Sequence, residues 1–253
     1  MQIGLIGCGN MARALARGWR RPLLCYDPVR ERAEGIVAEV GGEVLDSDAE
    51  VARRADLVVL CHKPAQLAEV AREAAPHAQA VASILAVTPL SALRAAYPDR
   101  PVYRFIPSLP VEVRQGAVVQ GADAVSAGGG ELDAPVKELF AELGTLVELD
   151  DSLIDVAMGL MSCAPAYVAL IAEAQVDAGV RHGIPAREGA QLVVQTLAGT
   201  AELLRRRDFD MVGVRREVTS PGGLTARGLD ALERGGVRSA FSDALDAVLA
   251  SGR

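Results

Sequence analysis

Short apolar runs alternate with stretches of helical periodicity over the first 150 residues of the chain. Residues 1–7, 22–27, 55–61, 80–87, 101–107, 116–121 and 144–149 are brief, rich in Val, Leu and Ile, and predict buried strands. Residues 11–19, 29–40 and 134–143 carry the mixed apolar and charged spacing of surface helices, and Ser126 to Gly130 reads as a loop. Strands that alternate with helices predict an α/β fold, a doubly wound and mostly parallel sheet with helices on both faces. After Asp150 the strand pattern stops. Helices are expected over Ser152–His182, with Pro165 inside, over Ala186–Arg207, and twice more after Ser220-Pro221-Gly222-Gly223. The division is therefore placed near residue 150, with an α/β domain over 1–150 and an all-α domain over 151–253.

One stretch of the second part, Val156 to Ala172, has no charged residue. Its length approaches that of a short membrane span, but it is rich in Ala, Gly, Ser and Cys, contains Pro165 and is closed by Asp155 and Glu173. A helix buried within protein fits that composition better, and about a hundred residues cannot cover it on every side. A homodimer is expected, with this run at its interface.

Half of the 253 residues are hydrophobic, enough for a sizeable core. The net charge of -7, without Lys/Arg clusters, argues against nucleic acid and for a small-molecule partner. Cys8, Cys25, Cys61 and Cys163 are far apart and form no C-x-x-C pair, as in reduced cytosolic proteins. His62, His77 and His182 are equally scattered, so no metal site is expected. Met1 opens directly onto a strand pattern rather than a leader, and the expected location is cytoplasmic.

The first strand is followed by Gly7, Gly9 and Ala12 at the G-x-G-x-x-(G/A) spacing, at the start of the first helix. The glycines permit a tight turn and close approach of a pyrophosphate, whose charge meets the helix N-terminus. Asp27 ends the second strand, where a carboxylate would bond the adenosine ribose hydroxyls. These features predict a Rossmann-type dinucleotide fold. Asp27 favours NADH, because a carboxylate repels the 2′-phosphate of NADPH, whereas Arg30 or Arg32 could swing toward such a phosphate or stand as solvated charges on the next helix. Lys63 and Pro64 follow a strand at the carboxyl edge of the sheet, where ligands of this architecture sit.

Several motifs together resemble the pyrroline-5-carboxylate reductase family over nearly the whole chain. They are the Gly7-Cys8-Gly9-Asn10-Met11 turn, Lys63-Pro64, the segment around Pro107-Ser108, Pro165-Ala166-Tyr167, and Ser220-Pro221-Gly222-Gly223-Leu224-Thr225 with Gly235-Gly236 downstream. The resemblance implies NAD(P)H-dependent reduction of a cyclic imine to proline, a homodimer with interleaved helices and a further ring of dimers. It implies cofactor contacts at Gly7, Gly9, Asn10, Met11, Asp27, Lys63, Pro64, Pro107 and Ser108. It also implies a substrate carboxylate held at Ser220, Gly222, Gly223, Leu224 and Thr225, with the Thr225 hydroxyl near the ring nitrogen. On the residues alone, Ser220 or Thr219 could instead cap the following helix.

The chain departs from the family pattern at Ser108 and Leu109, at Met161, Ser162, Cys163 and Ala164, and at Leu224. Ser and Leu cannot reproduce an amide's paired donor and acceptor, and Leu224 adds volume beside the expected carboxylate site. Two alternatives follow: a related reductase of another imine or carbonyl, and a dinucleotide-binding paralogue without turnover.

Overall fold

A computed structural model describes residues 1–122 and 131–250, so the expected loop at 126–130 lies outside the described residues. The first unit builds, in chain order, β1 (Ile3–Ile6), α1 (Asn10–Trp19), β2 (Leu23–Tyr26), α2 (Arg30–Val40), β3 (Gly42–Val44), α3 (Asp48–Arg54), β4 (Leu57–Leu60), α4 (Leu67–Ala74), β5 (Val81–Ser83), α5 (Leu90–Ala96), β6 (Val102–Pro107), β7 (Gly116–Gly121), α6 (Asp133–Ala141), β8 (Gly144–Leu149) and α7 (Ile154–Met161). The strands form one sheet in the order β3-β2-β1-β4-β5-β6-β7-β8. Every pairing is parallel except β6 with β7, which run antiparallel.

Strand order reverses between β1 and β4. Right-handed crossovers on either side of such a reversal send their helices to opposite faces and leave a crevice at the carboxyl ends of the two central strands. Helix contacts follow this division, α1 against α2 and α4 against α3 and α5. Both β1 and β4 are buried throughout, as parallel strands covered on two faces must be. The core runs from Trp19 and Ile3 to Phe105 and Phe140, whose rings stack 3.8 Å apart. The Trp19 indole N–H donates to the Leu139 carbonyl at 2.9 Å, so its one polar atom is satisfied inside that core.

The structure adds short elements that the sequence pattern did not predict, and it divides one expected helix. β3 was not foreseen; it is three residues long, at the sheet edge, and too short to carry a hydrophobic pattern. The helix expected over Ser152–His182 is interrupted, with α7 ending at Met161 and the next helix, α8 (Ala164–Arg181), starting beyond Ser162 and Cys163. Pro165 explains the break: it has no N–H to give to the carbonyl four residues earlier, that of Met161, and its ring would collide with it. By contacts the chain divides after Pro165. α7 belongs to the first unit because Ile154 and Ala157 bury against Ile106 and Val119 of the sheet.

The second unit, from Ala166 onward, is helical: the body of α8, then α9 (Ala186–Arg206), α10 (Met211–Glu217), α11 (Leu224–Arg234) and α12 (Val237–Ala250). Buried side chains are scarce in it. Among the described residues, Asp151–Arg181 is long and apolar enough to cross a membrane by length and composition, with a mean hydropathy of 1.7, yet only 17% of its 18-residue apolar window is buried. Within one copy the run is thus left largely uncovered; Leu170, for instance, is 63% exposed.

Candidate functional site

A cleft of about 420 Å³ opens at the carboxyl ends of β1, β2 and β4, lined in part by Gly7, Gly9, Asp27, His62 and Lys63. Gly7 makes the turn out of β1. Its φ is +90°, and an added Cβ would lie 2.6 Å from the His62 backbone nitrogen, so only glycine fits there. Gly9 is different: its φ is -74°, and an added Cβ would meet nothing within 4 Å. The space in front of Gly9 therefore lies outside the protein's own packing.

Gly9 is also the N-cap residue of α1 and supplies no side-chain cap. The N–H groups of Asn10, Met11 and Ala12 have no acceptor among the described residues, whereas Arg13 begins the helical ladder by donating to the Gly9 carbonyl at 3.0 Å. An uncapped helix start beside open space is a cradle for an anion. Asn10 lines a second hollow with Gly9, Arg13 and Arg32, and Met11 packs partly into the core. A dinucleotide pyrophosphate fits this geometry.

Asp27, 7% exposed, anchors the same loop. Its carboxylate accepts from the Cys8 N–H at 2.7 Å and from the Val29 N–H at 2.8 Å, with the Arg32 guanidinium 3.7 Å away. The residue expected to meet the ribose thus also ties the end of β2 to the glycine turn. Lys63 starts a short 3-10 turn, its N–H donating to the Gln66 side chain at 3.1 Å. Pro64 follows it but lines a separate shallow hollow on α4 rather than the cleft. Pro107 ends β6, Ser108 follows it, and both lie outside the cleft lining. Ser108 is buried, and its hydroxyl oxygen accepts from the Ala117 N–H at 2.9 Å, so that side chain serves the β6–β7 connection.

Several cleft residues carried no sequence signal for ligand contact: His62, Asp48, and Glu69 and Glu73 of α4. His62 presents Nδ1 to the Lys63 carbonyl at 2.9 Å, and burial lowers its pKa, disfavouring the charged ring. Asp48 opens α3 after Ser47, whose hydroxyl oxygen accepts from the Glu50 N–H at 3.1 Å. That Ser-x-x-Glu cap was readable in the sequence and would have set a helix start at the carboxyl edge of the sheet. Burial first, then the charges of Glu73, Glu69 and Asp27, push the Asp48 carboxyl up to about 6.

The second unit holds the other candidate residues. Gly222 has φ +67°, which favours glycine, and a Cβ on Gly223 would require the Ser220 hydroxyl to turn away. α11 has no side-chain cap. The Thr219 hydroxyl donates to the Arg215 carbonyl at 2.6 Å and finishes α10, while the Gly223 N–H donates to the Ser220 carbonyl at 3.0 Å. Capping of α11 by Ser220 or Thr219 is therefore not realised, and Gly223 is not a free donor. The N–H groups of Gly222, Leu224, Thr225 and Ala226 have no acceptor among the described residues. Thr225 is exposed beside them, and Leu224 is 86% exposed.

At the departures before α8, the Ser162 hydroxyl donates to the Pro107 carbonyl at 3.2 Å and Met161 packs on the Ile106–Ile154 cluster. These positions hold α7 against the end of β6.

A family profile described as pyrroline-5-carboxylate reductase dimerisation matches residues 151–253, and one described as NADP oxidoreductase coenzyme F420-dependent matches residues 2–87. The chain is 34% identical to the pyrroline-5-carboxylate reductase of Thermus thermophilus over 262 residues, covering 100% of this chain and 97% of that one. It is 33% identical to the enzyme of that name from Synechocystis over 258 residues, covering 98% and 95%. Among solved structures it resembles 1-pyrroline-5-carboxylate reductase of Streptococcus pyogenes, with a TM-score of 0.89, 28% identity and coverage of 100% and 98%. It also resembles the Plasmodium falciparum pyrroline carboxylate reductase with NADP bound, with a TM-score of 0.87, 25% identity and coverage of 100% and 97%. An α/β unit with a dinucleotide cradle, followed by helices that include the Ser-Pro-Gly-Gly-x-Thr turn, agrees with these relatives over full length: the chain belongs to the pyrroline-5-carboxylate reductase family.

Proposed function

We propose that the protein reduces 1-pyrroline-5-carboxylate to L-proline, with a reduced nicotinamide dinucleotide in the cleft at Gly7, Gly9 and Asp27. The observation that carries this reading is the turn at 220–225, an uncapped helix start with open N–H groups beside an exposed threonine hydroxyl. A small carboxylate is the ligand such a turn accepts.

In this reading the N–H groups of Gly222, Leu224 and Thr225 hold the substrate carboxylate, and Ser220 and Gly223 fix the turn. When bound, the dinucleotide supplies a hydride to the imine carbon. The ring nitrogen gains the matching proton, and the Thr225 hydroxyl is the donor placed to orient and support that nitrogen as it becomes an amine. Orientation carries most of the acceleration, because a protonated imine accepts hydride readily. The α1 N-terminus and Gly9 hold the pyrophosphate, with Asn10 and Met11 in that first turn, and Asp27 receives the adenosine ribose. Lys63 is a ribose or phosphate contact; Pro64, Pro107 and Ser108 shape the surrounding segments. Asp27 favours NADH over NADPH. The helical part pairs with a second copy, and dimers assemble into a ring in the cytoplasm.

Leu224 favours a second reading, because a large apolar side chain, 86% exposed at the carboxylate turn, changes the space and polarity beside that site and suits another imine or carbonyl substrate. Initial rates of NADH and NADPH oxidation with pyrroline-5-carboxylate test the proposal. Substrate-dependent oxidation that falls by at least about tenfold in Thr225→Ala, with cofactor affinity retained, is expected. Oxidation only with other substrates supports the second reading, and cofactor binding without any turnover indicates a non-catalytic paralogue.

A further inference from the structure

The cofactor cleft is lined by four carboxylates, Asp27, Asp48, Glu69 and Glu73, and by two side-chain cations, Arg32 and Lys63. The carboxylates are not equivalent. Asp27 has two backbone donors and a guanidinium to offset its charge. Asp48 is 9% exposed and has no hydrogen-bond or ion-pair partner among the described residues. It lines the same cleft as Asp27.

A carboxylate at a helix start is normally stabilised by the helix dipole. At Asp48 that gain is outweighed by burial and by the three neighbouring acids, which raise the affinity of its carboxyl for a proton. The groups around it are Asp27 and Tyr26 at the end of β2, Arg32 of α2, Glu69 and Glu73 of α4, and His62 and Lys63 before α4. Tyr97, whose buried hydroxyl has no partner, adds a neutral phenol. None of the three acids nearest in effect can neutralise it.

We infer that Asp48 is a specificity-determining residue of the cofactor cleft, disfavouring a dinucleotide that carries a 2′-phosphate. The inference rests on the proposed placement of the adenosine end beside Asp27. NADH and NADPH differ there by a hydroxyl against a phosphate of nearly two negative charges. A poorly screened carboxylate in the same cleft repels the phosphate and accepts a hydroxyl as donor. Charge discrimination of this kind follows the net charge at position 48 rather than its size.

The test compares kcat/KM for NADPH and NADH in the full-length protein and its variants. Asp48→Asn, nearly isosteric and neutral, is expected to raise the NADPH-to-NADH ratio by about tenfold. Asp48→Glu, which keeps the charge, is expected to leave the parent's preference in place. Lowering the pH from about 7.5 to about 5.5 protonates Asp48, so the ratio in the parent should rise more than in Asp48→Asn; the variant corrects for titration of the phosphate itself, whose second pKa is about 6. Should the amide fail to fold, Asp48→Ser removes the same charge. An unchanged ratio in a folded neutral variant overturns the inference, as does an equal rise with Asp48→Glu. Failure to bind either cofactor would instead refute the cleft assignment on which it rests.

Discussion

An added methyl group on Gly7 would press into the His62 and Cys61 backbone, on a residue whose φ is +90°. Gly7→Ala is therefore expected to destabilise the fold by at least ~2 kcal/mol, read as a lower midpoint in urea unfolding. Gly9→Ala meets no atom within 4 Å and keeps an ordinary φ, so its cost should stay within ~1 kcal/mol, that of a poorer N-cap residue. The same methyl would fill the cradle and raise the cofactor Kd by at least about tenfold. Equal cofactor affinity in Gly9→Ala would remove the pyrophosphate from that position. Asp48 gives a pH-dependent counterpart. With its carboxyl up at about 6, the folded state binds the proton more tightly than the unfolded chain does. Stability from this group is fully present below its unfolded pKa, about 4, and is lost as pH rises toward 6. Asp48→Asn should thus raise the thermal midpoint at about pH 7.5 and lose that advantage near pH 4; a gain independent of pH would show that its charge is not the cause. At this scale Gly7, Gly9 and Asp27 were legible because spacing alone defines them. Asp48, Glu69 and Glu73 were not, because they come from α3 and α4 and meet only through the fold of the sheet.

Elements are held in place by a few polar links as well as by the core. Arg104 of β6, 1% exposed, donates to Asp151 at 3.0 Å and to Asp155 at 2.6 Å, and the other Asp151 oxygen accepts from the Leu90 N–H at 3.0 Å. One buried guanidinium therefore ties β6 to the starts of α5 and α7. Arg104→Met should lower stability by ~2–4 kcal/mol, because it strands carboxylates that are only partly open to water. A change within about 0.5 kcal/mol would mean that the apolar contacts of Ile154 and Ala157 suffice. Strands with strong apolar runs, β1, β4 and β6 among them, were readable from pattern. Short elements were not: β3 has no periodicity to show, and α3, α4, α5 and α10 have at most eight residues. The break between α7 and α8 was written in Pro165, but whether a proline kinks or ends a helix depends on packing that sequence does not display.

For the whole molecule, the open question of burial lies in the second part. Val168, Leu170, Leu192 and Val194 are all exposed in one copy, and the matching family profile for residues 151–253 is a dimerisation domain. Ala169, also exposed, lies within this run on α8. Ala169→Arg should shift the protein to a smaller species on size-exclusion chromatography, and an unchanged elution volume would place the interface elsewhere. The apolar run and the shortage of chain to cover it were visible in the sequence, while which of its side chains stay exposed in a single copy is a property only the fold reveals. The measurement that tests the central claim most directly follows the transferred hydrogen. Incubating the protein with pyrroline-5-carboxylate and C4-dideuterated NADH, then weighing the product by mass spectrometry, should yield proline heavier by one deuterium. Unlabelled proline, or none while NADH binding is confirmed on the same sample, would contradict hydride transfer to this imine.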